Sequence, residues 1–349
     1  GRVKTKNWER PVQLNASTYL RMKFDIETYL QGVYMTDVKH SSFPKAHIRG
    51  ISPNADGKAG QNGLLIDAKT NNATQYLWFQ DWVVEDTGEH GYRIGGQSIV
   101  NDIWHINCVS KRPGRGEVGD PAIPTEHGIG HGRWGFKVLG PTDSAVERHR
   151  NIHYINCIAE DGRTNVPLTR TNFAGFQIGK CVNVTLANPI VRTSEAVAGG
   201  TSFVNGIEII GTEEMTLSNP SIGHVQKNGI HFYDADPATA GGDFGSLLSR
   251  INVNGGIILN PGNAGIYAAP SKYTFRRIEV INITLDTGAA PFCIQTAKSG
   301  TGALSGCFVS GYVNPVNASK VLDGSVDWLA DLNGNFATGP NDCADGSSL

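Results

Sequence analysis

The chain has 349 residues, 43 of them glycine, with 39% hydrophobic and only 18% charged residues, and 30 Lys and Arg stand against 32 Asp and Glu for a formal net charge of -2. Such a chain can bury a core, but its apolar runs fall short of the roughly 18 residues a membrane span needs, and it lacks the basic excess of a general nucleic-acid binder. Neither membrane insertion nor a nucleic-acid partner is expected, and three methionines with few Leu, Ala, Glu or Lys runs favour β structure over a helical bundle.

In chain order, residues 1–55 read as an N-terminal cap with the first coils of a solenoid, YLRMKFDIETYLQGVYM (19–35) mixing extended and helical signals. From 56 to 315 a short segment recurs. Its copies are NGLLID (62–67), HGYRIG (90–95), WGFKVL (134–139), AGFQIG (174–179), NGIEII (205–210), NGIHFY (228–233) and AGIYAA (264–269), with PFCIQ (291–295) a degenerate eighth. Their glycines are 28, 44, 40, 31, 23 and 36 residues apart, a unit in the twenties with insertions of varying length. Each copy is followed by a Val/Ile-rich run that breaks at Asn or Asp and resumes, as in DIWHINCVS (102–110) and VTLANPIV (184–191). Residues 316–349 lose the repeat and read as a packed or disordered tail.

A glycine-led strand, a Val/Ile strand, an Asn turn and a short third strand, repeated about 8–10 times, predict an all-β, right-handed parallel β-helix whose rungs bury their faces against one another. A β-sandwich or propeller would also have short strands, but the irregular spacing and the absence of hairpin signals count against both. Asn107, Asn156, Asn188, Asn219, Asn254 and Asn282 are expected to form a ladder at the turn, where Asn tolerates left-handed backbone angles and its amide can bond the next rung.

Six cysteines (Cys108, Cys157, Cys181, Cys293, Cys307, Cys343) lie far apart without a C-x-x-C pair. No metal site and no cofactor are expected, and most of these thiols read as small core residues. The chain starts at Gly1 with no signal-peptide pattern, which reads as a mature chain or an excised segment.

Period-two alternation makes the outside of the glycine-led strands legible. Residues one and three after each glycine are apolar and face in. The residue between faces out, giving the row Leu65, Arg93, Lys137, Gln177, Glu208, His231, Tyr267. The loop 111–133, carrying Glu117, Asp120, Glu126, His127, His131 and Arg133, and the loop 234–250, carrying Asp234, Asp236 and Asp243, border this row. Loops of that length are commonly functional, and here they are expected to wall a groove.

The G-[LYFI]-x-[IVF] strand, Val/Ile strand and Asn turn over residues 60–315 resemble the pectate-lyase-like parallel β-helix superfamily, which includes polysaccharide lyases, polygalacturonase-type hydrolases and bacteriophage tailspike depolymerases. The polygalacturonase motif set is absent apart from Gly130-His131-Gly132, and so is the Asp-rich calcium cluster of pectate lyases with its R-x-P-x-x-R. The resemblance therefore points toward a tailspike depolymerase acting on a bacterial surface polysaccharide. It implies a homotrimer and a virion or extracellular location, secreted if cellular.

Glycoside hydrolysis requires two carboxylates flanking the scissile bond. Glu208, mid-row on a strand, is the expected acid, with Asp234 or Asp236 as partner and His231 one rung away completing the catalytic set. Arg93, Lys137, Gln177, Arg133 and His131 are the expected substrate contacts, and Trp134 and Tyr267 the expected stacking surfaces for sugar rings. An alternative is a lyase acting on uronate units, using Arg93, Lys137, Arg133 and His131 as cations or base. A second alternative is a carbohydrate-binding or adhesin-type β-helix without catalysis. Glu85/Asp86 and Glu160/Asp161, with Lys111/Arg112 between, read as a structural charge ladder.

Overall fold

The computed structural model describes residues 2–4, 11–28, 32–50, 62–96, 98–114, 134–141, 147–162, 173–193, 203–234, 248–286, 290, 292–297, 301–313, 320–322 and 328–330. These contain strands and turns and no helix.

One coil illustrates the rest. A first strand, Asn205–Ile210, turns through Gly211 and Thr212 into a second, Glu213–Ser218, which turns at Asn219 and Pro220 into a third, Ser221–Gly223. Each pairs in parallel with its counterpart one coil on: Asn228–Tyr233, Ser249–Asn254 and Ile257–Leu259. Parallel strands cannot be joined by a tight hairpin, so each connection travels around the molecule, and such crossovers are right-handed. The chain is a right-handed parallel β-helix.

The first strands stack into one sheet of eleven, in sequence order from Val12–Asn15 to Lys320–Leu322; we call this the groove sheet, after the groove expected along it from the sequence. The second and third strands form a continuous sheet of nineteen, because Lys39–Gly50 and Thr274–Asp286 each run through both positions without a break. QGVYMT (31–36) is an earlier copy of the repeat: Val33–Thr36 pairs in register with Leu64–Asp67. At the other end, Lys320–Leu322 pairs with Phe292–Thr296, and Trp328–Ala330 with Cys307–Val313.

The leading glycine has a steric cause. A Cβ on Gly206 would fall 2.5 Å from Ile222 Cγ2, and one on Gly229 would fall 2.5 Å from Ile258 Cγ2. The third strand's inward side chain thus passes directly beneath the point where the first strand begins, and only glycine leaves it room.

Inside, like stacks on like. Tyr92, Phe136 and Phe176 are face to face at 4.5 and 4.7 Å, and Phe43, Phe79, His105 and Tyr154 form a parallel column at 5.2, 5.0 and 4.9 Å. Cys108, Cys157, Cys181 and Cys307 are buried thiols outside any disulfide. Outside, the turn amides bond rung to rung: Asn107 to Asp81 at 3.0 Å, Asn156 to Asn107 at 3.2 Å, Asn188 to Asn156 at 2.9 Å and Asn219 to Asn188 at 3.3 Å. Gly255 takes the left-handed position in the next coil, and Asn282 then bonds Asn254 at 3.3 Å. The charged residues flanking the third strands also form a ladder, in which Arg112 bonds Glu85 and Asp86 while Arg192 bonds Glu160.

Candidate functional site

The groove sheet carries the expected outward row. Tyr34 pairs with Leu65, Leu65 with Arg93, Arg93 with Lys137, Lys137 with Gln177, Gln177 with Glu208, Glu208 with His231, His231 with Tyr267 and Tyr267 with Gln295. Partners in a parallel register present their side chains to the same face, one strand spacing of about 4.8 Å apart. Two residues further along the later strands runs an apolar row, in which Ile210 and Tyr233 pack with Leu139 and Ala269.

Glu208 is the hub of the middle of this face. It is completely buried, and both carboxylate oxygens are engaged: Oε1 accepts from Asn205 Nδ2 at 2.8 Å, and Oε2 from Trp134 Nε1 at 2.9 Å, Gln177 Nε2 at 3.0 Å and the Tyr233 hydroxyl at 3.4 Å. A carboxylate so enclosed acts as a structural anchor, and this corrects the expectation that the side chain at this place in the row is open to solvent. Its burial has a definite cause: Trp134 starts two strands away and reaches along the axis to it.

Trp134 itself is 4% exposed, with the Lys137 Nζ 4.0 Å from its ring centroid and His90 against it edge to face at 5.1 Å. It braces Glu208 and is no open platform for a sugar, a second correction. Lys137 is half-buried and packs on Trp134; Arg93 is half-buried and lies in the field of Asp67.

Asp234 gives a third correction. It is 1% exposed, and its Oδ2 accepts from the backbone amides of Ser271, Lys272 and Tyr273 at 2.8, 2.7 and 2.8 Å. Three amides converging on one oxygen hold the following coil's turn, so Asp234 is an enclosed turn cap where an exposed groove acid was expected. Asp236, His131 and Arg133 lie outside the described residues, as do 115–133 and 235–247 of the two loops expected to wall a groove.

His231 stays on the face. Its ring stacks on Tyr233 at 4.5 Å and tilts against Tyr267 at 4.9 Å, and both its nitrogens are buried without a hydrogen-bond partner. Burial, helped by the charge of Lys227, pushes the imidazole down to about 3, so it is neutral near pH 7. Gln177 Oε1 and Asp234 Oδ1 are likewise buried without a partner.

The sequence reading missed Tyr34, Asp37 and Asp67 at the other end of the face. The signal was present: NGLLID ends in an acid where the later copies end in Gly95, Leu139, Gly179, Ile210, Tyr233 and Ala269. Among the described residues, no group of three or more His, Cys, Asp or Glu is arranged to hold a metal ion.

No family model matches the chain, and no curated protein matches it. Among solved structures it is similar to the catalytic unit of a thermostable GH87 alpha-1,3-glucanase from Streptomyces thermodiastaticus strain HF3-3, at 12% identity and a TM-score of 0.36. The likeness covers 90% of this chain and 64% of that one.

Proposed function

We propose that the chain holds a polysaccharide along the groove sheet and hydrolyses its glycosidic bonds. The observation that carries this reading is the straight outward row from Tyr34 to Gln295, nine strands in register, which extends for roughly 40 Å and mixes aromatic, amide, cationic and imidazole groups. A long row with a regular step suits a ligand that is itself a repeating chain. His231 and Tyr267 are half-buried neighbours on this row, and their rings offer a surface on which the apolar face of a sugar can pack.

The finer reading rests on the sequence resemblance: a tailspike-type depolymerase of a bacterial surface polysaccharide, homotrimeric, at the virion or outside the cell. Its oligomeric part predicts a solution mass about three times the 37.4 kDa of the chain, measured by light scattering. A mass of one chain would overturn it.

The catalytic reading is tested by incubating the protein with a panel of bacterial capsular, plant and algal polysaccharides while following reducing ends and absorbance near 235 nm. Reducing ends without absorbance are the expected result. Reducing ends with absorbance would mean elimination and favour a uronate lyase, whose cations would be Arg93 and Lys137. Binding without cleavage would make this a non-catalytic carbohydrate-binding solenoid.

A further inference from the structure

Four strand spacings from Glu208, the groove sheet carries a separate polar cluster. Asp67 ends the strand Leu64–Asp67 and is the register partner of Thr36, while Tyr34 pairs with Leu65, and Leu65 with Arg93. Tyr34, Thr36, Asp67 and Arg93 therefore stand on one outer face. Asp37 follows Thr36 in a left-handed conformation, at φ 58°.

The two acids are fixed by the same turn. Asp67 Oδ1 accepts from the Ala68 amide at 2.7 Å, and Asp37 Oδ1 accepts from the Lys69 amide at 2.9 Å. The neighbouring coil makes room for Asp67: Gly96 has φ +112°, and a Cβ there would overlap the carboxylate. Unlike Glu208, both acids are only half-buried.

The surroundings of Asp67 bear on its chemistry. Burial raises the Asp67 carboxyl above its usual range and the Asp37 charge adds to this, against the Ala68 amide, Arg93 and the Tyr34 hydroxyl, which pull the other way. A carboxyl raised by burial is the kind that holds its proton for general-acid work. An independent feature points to a ligand: Thr36, 1% exposed, has its Oγ1 buried without any hydrogen-bond partner beside Asp67.

We propose that Asp67 and Asp37 are the acid and base of the groove, with Arg93 and Tyr34 as positioning residues around Asp67. The proposal rests on the glycan-cleaving reading above. In the step, the bond from the anomeric carbon to the glycosidic oxygen breaks as that oxygen takes the Asp67 proton. A water oxygen bonds to the anomeric carbon and gives its proton to Asp37. Proton exchange with solvent restores both acids, so the sum is one water consumed and two hydroxyl ends formed.

The test uses the whole chain on a polysaccharide that it cleaves. Asp67→Asn and Asp37→Asn are each expected to lose at least about 100-fold in reducing-end release, the usual contribution of a positioned acid or base, with unfolding midpoints near that of the parent. Arg93→Gln supplies a readout that does not depend on either variant folding: losing the cation beside Asp67 is expected to move the alkaline limb of the pH–rate profile upward. An unmoved limb, or Asn variants within threefold of the parent, would overturn the pair while leaving the glycan-cleaving reading intact. A parent chain that cleaves nothing, or cleaves by elimination, would overturn both.

Discussion

His105 is a polar residue in an apolar column, stacked between Phe79 and Tyr154, with neither ring nitrogen bonded and the imidazole pushed down to about 3 by burial. A phenyl ring fills the same slot without two unsatisfied polar atoms, so His105→Phe is expected to stabilise the fold by about 1–2 kcal/mol. Chemical denaturation reads this directly as a higher midpoint, and a lower one would mean the imidazole has a partner. Glu208 obeys the opposite logic. Removing its carboxylate strands the donors of Trp134 and Asn205 inside the protein and leaves Gln177 only the Tyr233 hydroxyl. Glu208→Ala is expected to lose about 3 kcal/mol or more on the same measurement. A loss under 1 kcal/mol would reject its role as anchor.

The Asn turn is the element in which local and long-range demands coincide. Asn156 has φ 53°, donates to Asn107 and accepts from Asn188. Asn156→Ala loses both bonds and forces an ordinary residue into the left-handed region, for an expected cost of about 2 kcal/mol. Asn156→Gly keeps the backbone freedom, as Gly255 does at the same turn position three coils on, and is expected to cost about half as much. Equal losses would assign the whole effect to the bonds. These turns were readable in the sequence because they recur: all six Asn named there belong to rung-to-rung bonds or flank Gly255. The outward row was readable for the same reason, since alternation within a strand fixes the face. What alternation does not encode is how side chains lean along the axis. Trp134 and Glu208 are 74 residues apart and bonded, which turned an apparent acid into an anchor. Asp67 escaped notice because its neighbour strand, QGVYMT, lacks the Asn or Ala before glycine that marks most later copies.

At the scale of the whole molecule, His105, His149 and His231 are all held down at about 3, chiefly by burial, against 6.5 in an open chain. Between those values the unfolded chain binds more protons than the folded one, so stability is complete above about pH 6.5 and falls as pH drops toward 3. Each imidazole adds up to about 1.4 kcal/mol per pH unit to that slope. Asp67, whose carboxyl is raised by folding, offsets part of it at the acid end. Denaturation midpoints at pH 7, 6, 5 and 4 should decline steadily, less steeply in His105→Phe; a flat profile would mean these rings are hydrated. The parallel register has a consequence of its own. Gly206 and Gly229 are 23 residues apart and Gly91 and Gly135 are 44 apart, yet each interval advances the groove by a single strand. The face is a measuring scale whose graduations are set by backbone bonding and are indifferent to the length of chain between them. Lengthening or exchanging a loop can change what overhangs a graduation without displacing any, whereas deleting one coil shortens the scale by one division and brings Asp67 a step nearer to His231.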